Sequence, residues 1–285
     1  MRYPNGKSKA VTLSYDDGRK TDMRLSDILT PHNMKCTFNI CSSKVGSTNV
    51  YLTKDEIRKY ILERGHEVAI HGAHHRANGL QRVTAGMVET LDCRRELERM
   101  FDTIIKGMAY PNSGILHIEG YISYEKICRY LSDVGIVYAR SLKSDNNRFE
   151  LPSDWYNWIP TASHLNENLF EYVKEFNELI VDDLFFTQRY PRLFYLWGHS
   201  YELEDYNKWD MLEKFCSEIG GKDDVWYATN MEIYEYTKAY NSLQFNVDET
   251  IVYNPSLLEI WFCADGKIYS VKSGETVKLG GKLID

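Results

Sequence analysis

Short apolar runs alternate along the chain with longer segments in which apolar residues recur every three or four positions. The first pattern is typical of buried strands and the second of amphipathic helices. Thr53 and Glu56 form a capping-box pattern at one such helix, and Gly65 ends it. The predicted strands are 11–15, 35–40, 67–71, a short one ending at Tyr110, 136–139, 193–196 and 225–227, and the predicted helices begin near 21, 53, 84, 123, 166, 209 and 231.

Strands that alternate with helices predict a parallel sheet, and at this length a barrel is favoured over an open sheet. We therefore expect an α/β fold with a distorted seven-stranded (β/α) barrel. Residues 141–164 carry Pro152 and Pro160 and are predicted to be a long loop, a kind of segment that often serves function. From about Asn241 short alternating stretches flank an Asp265-Gly266 turn. The predicted units are the barrel over 1–240 and a β-rich extension over 241–285.

Composition narrows the possible partners. A hydrophobic content of 43% in 285 residues is enough for a large core. A net charge of -7 argues against nucleic acid or an anionic membrane as the main partner. The N-terminus lacks the apolar core of a signal peptide, so a cytoplasmic location is expected, or an extracellular or cell-envelope one if a leader has been removed. The sequence indicates no oligomeric state.

A cluster of histidines follows the strand predicted at 67–71. His71 and His75 are four residues apart, so a helical turn after the strand would bring both rings to one face. A hydrolytic metal site commonly has three protein ligands and one open position, so a third ligand is expected from another strand. The first strand ends in Asp16 and Asp17, which are the best candidates.

These segments carry a resemblance. The sequences SYDDG at 14–18, GHE at 65–67 and H-x-x-x-H at 71–75 resemble the first two motifs of the polysaccharide deacetylase family, which is carbohydrate esterase family 4 with its NodB homology domain. The similarity extends from about Val11 to the strand before His199. It implies a TIM-like barrel of the glycoside hydrolase and deacetylase type, and a hydrolase that removes acetyl groups from an N- or O-acetylated polysaccharide or oligosaccharide.

The resemblance also implies roles for particular residues. Asp17, His71 and His75 would hold a divalent metal ion, with zinc as our expectation, and Asp16 would be the catalytic base. His199, in the sequence LWGH, would be the acid that protonates the leaving group. The adjacent carboxylates suit this chemistry, because one anchors a Lewis acid while its neighbour accepts a proton from the attacking water.

Further site residues follow from the later motifs. The backbone N–H of Asn112 would stabilise the oxyanion, and Asp154 would orient the histidine acid. The side chains expected to line the substrate pocket are Tyr110, Arg140, Trp155, Trp158, His164 and Trp197.

The chain departs from the family pattern at three places. Ala109 stands where the third motif usually has an arginine that braces the base, and we expect Arg140 to reach the same rim instead. Gly72 replaces a hydroxyl residue of the second motif, and Trp197 replaces a leucine of the fifth. Two other functions therefore stay open: a hydrolase of a small cyclic amide on the same scaffold, and a catalytically weak carbohydrate-binding protein.

Overall fold

The computed structural model describes residues 1–142 and 148–280, and its centre is one parallel sheet of eight strands. The strand order is β5-β4-β3-β2-β1-β7-β6, and β8 pairs with the first residues of β1. The sheet curls into the predicted (β/α) barrel, so the predicted fold class is confirmed. The strands are β1 (Lys9–Asp16), β2 (Cys36–Ile40), β3 (Glu67–Ile70), β4 (Gly107–Ala109), β5 (Tyr138–Arg140), β6 (Ala162–Ser163), β7 (Arg192–Gly198) and β8 (Val225–Tyr227).

Most helices pack against the outer face of the sheet, and the helix Asn230–Asn241 packs against side chains of its inner face. The helix starts match the predicted ones within a few residues, with one additional helix. Thr53 and Glu56 form the predicted capping box, and the helix that they begin continues in a π turn. The additional helix, α6, begins directly after His199. The helices are α1 (Asp22–Leu29), α2 (Lys54–Ile57), α3 (Val83–Phe101), α4 (Tyr124–Asp133), α5 (Leu169–Glu178), α6 (Ser200–Asp205), α7 (Trp209–Ile219) and α8 (Asn230–Asn241).

The segment predicted as a long loop contributes to the sheet. The N–H of Trp158 donates to the Ala139 carbonyl at 3.0 Å, and the N–H of Thr161 donates to the Tyr195 carbonyl at 2.8 Å. The chain therefore bonds first to β5 and then, through β6, to β7. The prediction of a loop missed β6 because a two-residue strand is too short to show a period-two pattern.

The alternation along β1 determines where the first functional residue lies. Val11, Leu13 and Tyr15 pack in the main hydrophobic core with the helices. Thr12 and Ser14, on the opposite face, bond to polar side chains inside the barrel. Because successive side chains alternate between faces, Asp16 ends the strand on the inner face at its carboxyl end.

The C-terminal residues form separate small sheets: one contains β9 (Gln244–Phe245), β10 (Ile251–Tyr253) and β13 (Thr276–Lys278), and the other β11 (Ile260–Ala264) and β12 (Lys267–Val271). Asp265 and Gly266, with φ of 50° and 73°, make the predicted hairpin turn. The boundary at residue 240 remains a prediction. Residues 281–285 of the predicted extension and 143–147 of the predicted loop lie outside the described residues. None of the described helices is both long and apolar enough to cross a bilayer.

Candidate metal centre and active site

Three side chains from two strand ends converge on one point at the rim of the barrel. Nε2 of His75 lies 3.1 Å from Nε2 of His71 and 3.3 Å from Oδ1 of Asp17. The Nε2 of His71 is 3.8 Å from the same carboxylate oxygen. The structure thus brings together the three residues that the sequence predicts as metal ligands.

The chain between the two histidines is irregular, which corrects the expectation of a helical turn. Gly72 and His75 have φ of 75° and 61°, in the left-handed region. The buried Glu89 of α3 accepts a hydrogen bond from the N–H of His74 and holds this loop. A Cβ at Gly72 would lie 3.1 Å from Oε1 of Glu89. Glycine fits here because the turn needs a positive φ and Glu89 approaches closely.

The donor set fits a divalent metal ion. Nδ1 of His71 lies 2.9 Å from the Ala109 carbonyl, and because a carbonyl only accepts, Nδ1 carries the proton and Nε2 presents a lone pair. Burial and the neighbouring His71 lower the pKa of His75, which favours its neutral form as a ligand. Separations of 3.1–3.8 Å suit ligands that each lie about 2.0–2.2 Å from a shared ion.

Asp16 is fully buried beside this cluster and is held away from it by hydrogen bonds. Nδ2 of Asn39 donates to Oδ1 at 2.8 Å, and Nη2 of Arg140 donates to Oδ2. Oδ2 is also 3.8 Å from Nε2 of His71 and 3.9 Å from Nε2 of His199. Burial raises the pKa of Asp16, but the charges of Arg140, His71 and His199 outweigh it and hold the pKa below its usual value. The carboxylate is therefore ionised.

Arg140 occupies the space next to the base that the missing arginine leaves free. Its side chain is fully buried, and its guanidinium lies 4.5 Å from the centre of the Trp197 ring. Trp197 in turn packs edge-on against the His199 ring at 5.8 Å. The structure thus places Arg140 beside Asp16, where the sequence expected it to replace the missing arginine, and not in the substrate pocket. Trp197 lies between Arg140 and the predicted acid.

A carboxylate from α6 orients His199. Oε2 of Glu202 lies 3.2 Å from Nδ1 of His199, and it accepts a hydrogen bond from the backbone N–H of the same residue at 3.2 Å. Burial lowers the pKa of His199, but the carboxylates of Glu202 and Asp16 outweigh it and raise the pKa. Sequence reasoning missed Glu202, although its position three residues after His199 is the spacing of a capping box.

His164 supports Glu202 from behind and does not line the predicted pocket. Its ring is buried, with Nε2 3.1 Å from Oε2 of Glu202 and Nδ1 3.0 Å from the hydroxyl of Tyr15. A Cβ at Gly198 would overlap this ring. His164, Glu202 and His199 therefore form one chain of contacts that ends at the predicted acid.

Comparisons with known proteins support the resemblance to the deacetylases. Residues 3–132 match the model of the polysaccharide deacetylase family. The resemblance predicted from the motifs is therefore confirmed over this part of the chain, which is less than half of its length. No curated protein sequence matches the chain significantly.

Solved structures share the fold at low sequence identity. A Mycobacterium smegmatis protein assigned to the polysaccharide deacetylases has 19% identity and a TM-score of 0.59, over 85% of this chain and 94% of that one. PuuE allantoinase has 12% identity and a TM-score of 0.57, over 81% of this chain and 90% of that one. The Streptococcus pyogenes deacetylase PplD has 14% identity and a TM-score of 0.41. The match covers 46% of this chain, and this chain spans only 55% of the length of PplD.

Asp154, assigned by the resemblance to the family's fourth motif, has a different environment from the one predicted. One oxygen accepts from the N–H of Tyr156 at 2.9 Å and caps a short 3-10 helix, and the other accepts from the hydroxyl of Tyr124. The carboxylate next to His199 is Glu202, so the prediction that Asp154 orients the acid is wrong.

The predicted third motif divides between the core and the rim. Tyr110 is fully buried and its hydroxyl donates to the Tyr156 carbonyl at 2.9 Å, so its ring does not line a pocket, contrary to the prediction. Asn112 is exposed with a φ of 53°, and its side chain donates to the His75 carbonyl at 2.6 Å. Within the described ranges no backbone carbonyl accepts from the Asn112 N–H, which leaves this donor free for a ligand.

Trp158 belongs to the protein core, and the half-buried Trp155 packs against it. Their rings pack edge-to-face at 4.9 Å, and Trp155 packs in the same way against Tyr234 of α8. Trp158 is 1% exposed. The prediction that Trp158 lines the substrate pocket is therefore wrong, because its pairing with β5 turns the indole into the barrel. Trp155 is half-buried, and its place in the pocket stays a prediction.

Proposed function

We propose that the protein is a zinc-dependent hydrolase that removes acetyl groups from an acetylated carbohydrate. The observation that carries this proposal is the set Asp17, His71 and His75 around one point, with the ionised Asp16 beside it and His199 facing it. A three-ligand set of two imidazoles and one carboxylate is a known type of catalytic zinc site. The match of residues 3–132 to the polysaccharide deacetylase model favours a carbohydrate substrate.

The residues divide the work of hydrolysis. A zinc ion held by Asp17, His71 and His75 would act as a Lewis acid that polarises the acetyl carbonyl and acidifies water. Asp16 accepts the proton of the attacking water, and its hydrogen bonds from Arg140 and Asn39 fix its orientation.

The other rim groups act on the oxyanion and the leaving group. The free N–H of Asn112 stabilises the developing oxyanion. His199, kept protonated by Glu202, gives its proton to the leaving oxygen or nitrogen.

The test is acetate release from acetylated chito- and xylo-oligosaccharides, with the zinc content of the purified protein measured in parallel. Asp17→Ala and His75→Ala should lose bound zinc and more than about 100-fold of the acetate release, because each removes a ligand. His74→Ala is the matched control, since His74 is exposed and adjacent to the site. It should retain both zinc and activity.

Acetate release that persists in Asp17→Ala or after chelation would contradict the proposal. Oligosaccharide binding by the zinc-loaded protein without acetate release would favour the carbohydrate-binding alternative. A different metal at full occupancy in active protein would contradict the assignment to zinc alone.

A second candidate is hydrolysis of a small cyclic amide. Two observations favour keeping it: Ala109 replaces the family's arginine, and the barrel has the same fold as PuuE allantoinase. Zinc-loaded protein assayed against cyclic ureides and imides in parallel with acetylated sugars separates the two, because turnover of only the cyclic amides would replace the first proposal.

A further inference from the structure

Arg19 follows the predicted metal ligand Asp17 by two positions and lies between two aromatic rings. Its guanidinium is 4.6 Å from the centre of the Tyr51 ring and 5.0 Å from the centre of the Tyr201 ring. The backbone of Arg19 forms an antiparallel bridge with Tyr51, which fixes the start of the side chain. Two rings around one planar cation restrict its rotation, so the guanidinium is held ready for a planar partner.

The charge of Arg19 is not neutralised by the protein. In the parts of the chain that the structure describes, Arg19 forms no ion pair, and its Nε is buried without a hydrogen-bond partner. By contrast, Arg64 lies 2.7 Å from Asp27, and Arg140 is paired with Asp16. A half-buried guanidinium without an anion is unusual, because such donors normally have partners.

Arg19 opens onto a pocket that adjoins the predicted acid. The pocket has a volume of about 410 Å³ and is lined by Arg19, Lys20, Tyr201 and Asp205, among others. The Tyr201 ring lies 5.2 Å from the His199 ring, so one tyrosine contacts both the arginine and the acid. One residue, Gly18, separates Arg19 from Asp17 in the sequence.

The other charges of the pocket leave Arg19 as the group that selects an anion. Lys20 is paired with Glu56, and Asp205 is exposed to solvent, which screens its charge. The ammonium group of Lys44 lies 5.6 Å from the centre of the Tyr51 ring and adds positive charge near Arg19.

We propose that Arg19, held between Tyr51 and Tyr201, binds the carboxylate of an acidic sugar next to the acetylated one. The planar fork of a guanidinium matches a carboxylate with two parallel hydrogen bonds. This inference rests on the proposed function and narrows it, because the substrate becomes an acetylated glycan that contains uronic acid or another carboxylated sugar.

The experiment compares matched ligands on the zinc-loaded full chain. The panel contains oligosaccharides that alternate N-acetylglucosamine with glucuronic acid, O-acetylated xylo-oligosaccharides with glucuronic acid branches, and the methyl ester of each. Dissociation constants are measured by calorimetry, and kcat/KM is measured by acetate release. At low salt the wild type should bind the acid forms about tenfold more tightly than the esters, as a charged hydrogen bond predicts.

Arg19→Gln should reduce this acid-to-ester ratio to near one, and Arg19→Lys should keep part of it. Arg24→Gln is the matched control. Arg24 also lies over an aromatic ring, 4.5 Å from the centre of Trp209, and its substitution removes the same charge. It should keep the wild-type ratio.

The binding measurement separates this inference from the proposed function. Selective binding of acid forms without acetate release would support the role of Arg19 and count against the deacetylase. Acetate release with equal affinity for acids and esters would overturn the role of Arg19 alone. Tighter binding of a sulfated oligosaccharide than of any uronate would also overturn the assignment, and so would an acid-to-ester ratio that Arg19→Gln leaves unchanged.

Discussion

The contact between Glu202 and His199 makes a direct prediction about the pH dependence of activity. Glu202→Gln keeps the size of the side chain and removes its charge. His199 must be protonated to act as an acid, so activity falls as the pH rises through its pKa. Because Glu202 raises that pKa, the variant should lose activity at lower pH than the wild type.

The size of the shift follows from the geometry. At 3.2 Å, a charge pair has a Coulomb energy of about 5 kcal/mol at an effective dielectric constant of about 20. Glu202 is 24% exposed and also contacts His164, so the energy available to His199 is smaller. An opposite charge this close favours the protonated imidazole by about 1.5–3 kcal/mol, so the pKa of His199 should fall in the variant.

The assay measures kcat for acetate release by zinc-loaded protein between about pH 5 and about pH 10. The alkaline limb of Glu202→Gln should move down by about 1–2 units, and circular dichroism should verify the fold. Glu204→Gln is the control, because it changes the same charge on the same helix at an exposed position. An alkaline limb of Glu202→Gln that coincides with the wild type would refute the assignment of Glu202 to the acid.

Three further predictions concern stability. Gly198→Ala should lower the free energy of unfolding by about 1–3 kcal/mol, because the new Cβ overlaps the His164 ring. Urea denaturation measures this change, and a variant as stable as the wild type would contradict the prediction. Gly72→Ala should lower the free energy of unfolding by about 1–2 kcal/mol, since the φ of Gly72 is 75° and Glu89 is close. A change below about 0.5 kcal/mol would contradict this prediction. Burial is the main cause that lowers the pKa of His66 to about 4. Between this pKa and the ordinary one, the unfolded chain therefore takes up a proton that the folded chain does not. Stability should therefore fall by up to about 3 kcal/mol as the pH drops from 6.5 towards 4, and His66→Gln should flatten this slope in unfolding measurements across that range.

The errors in the predicted site share one physical origin. Asp154 and Tyr110 lie at motif positions that the resemblance links to the acid or the substrate, and Trp158 lies in the predicted loop. Neither kind of position reveals which partner a side chain meets. Asp154 caps a local turn, while the two aromatic residues are turned into the core by strand pairing. In each case a backbone hydrogen bond or a packing contact determined the orientation of the side chain.

The sequence by itself determined the properties that depend on neighbouring residues. Period-two alternation put Asp16 inside the barrel and left Asp17 at its rim, and the capping box set the start of α2. The strand endings placed His71 near both aspartates, because the carboxyl ends of parallel strands share one edge.

Only the tertiary structure decided which distant residues complete the site. The sequence suggested Arg140 for the rim, but only the fold pairs it with Asp16, 124 positions away, and puts Glu202 in the place predicted for Asp154. The physical reason is that an ion pair needs a charge at the correct distance, whichever strand or helix supplies it. Closure of the barrel sets those distances, and no local pattern encodes them.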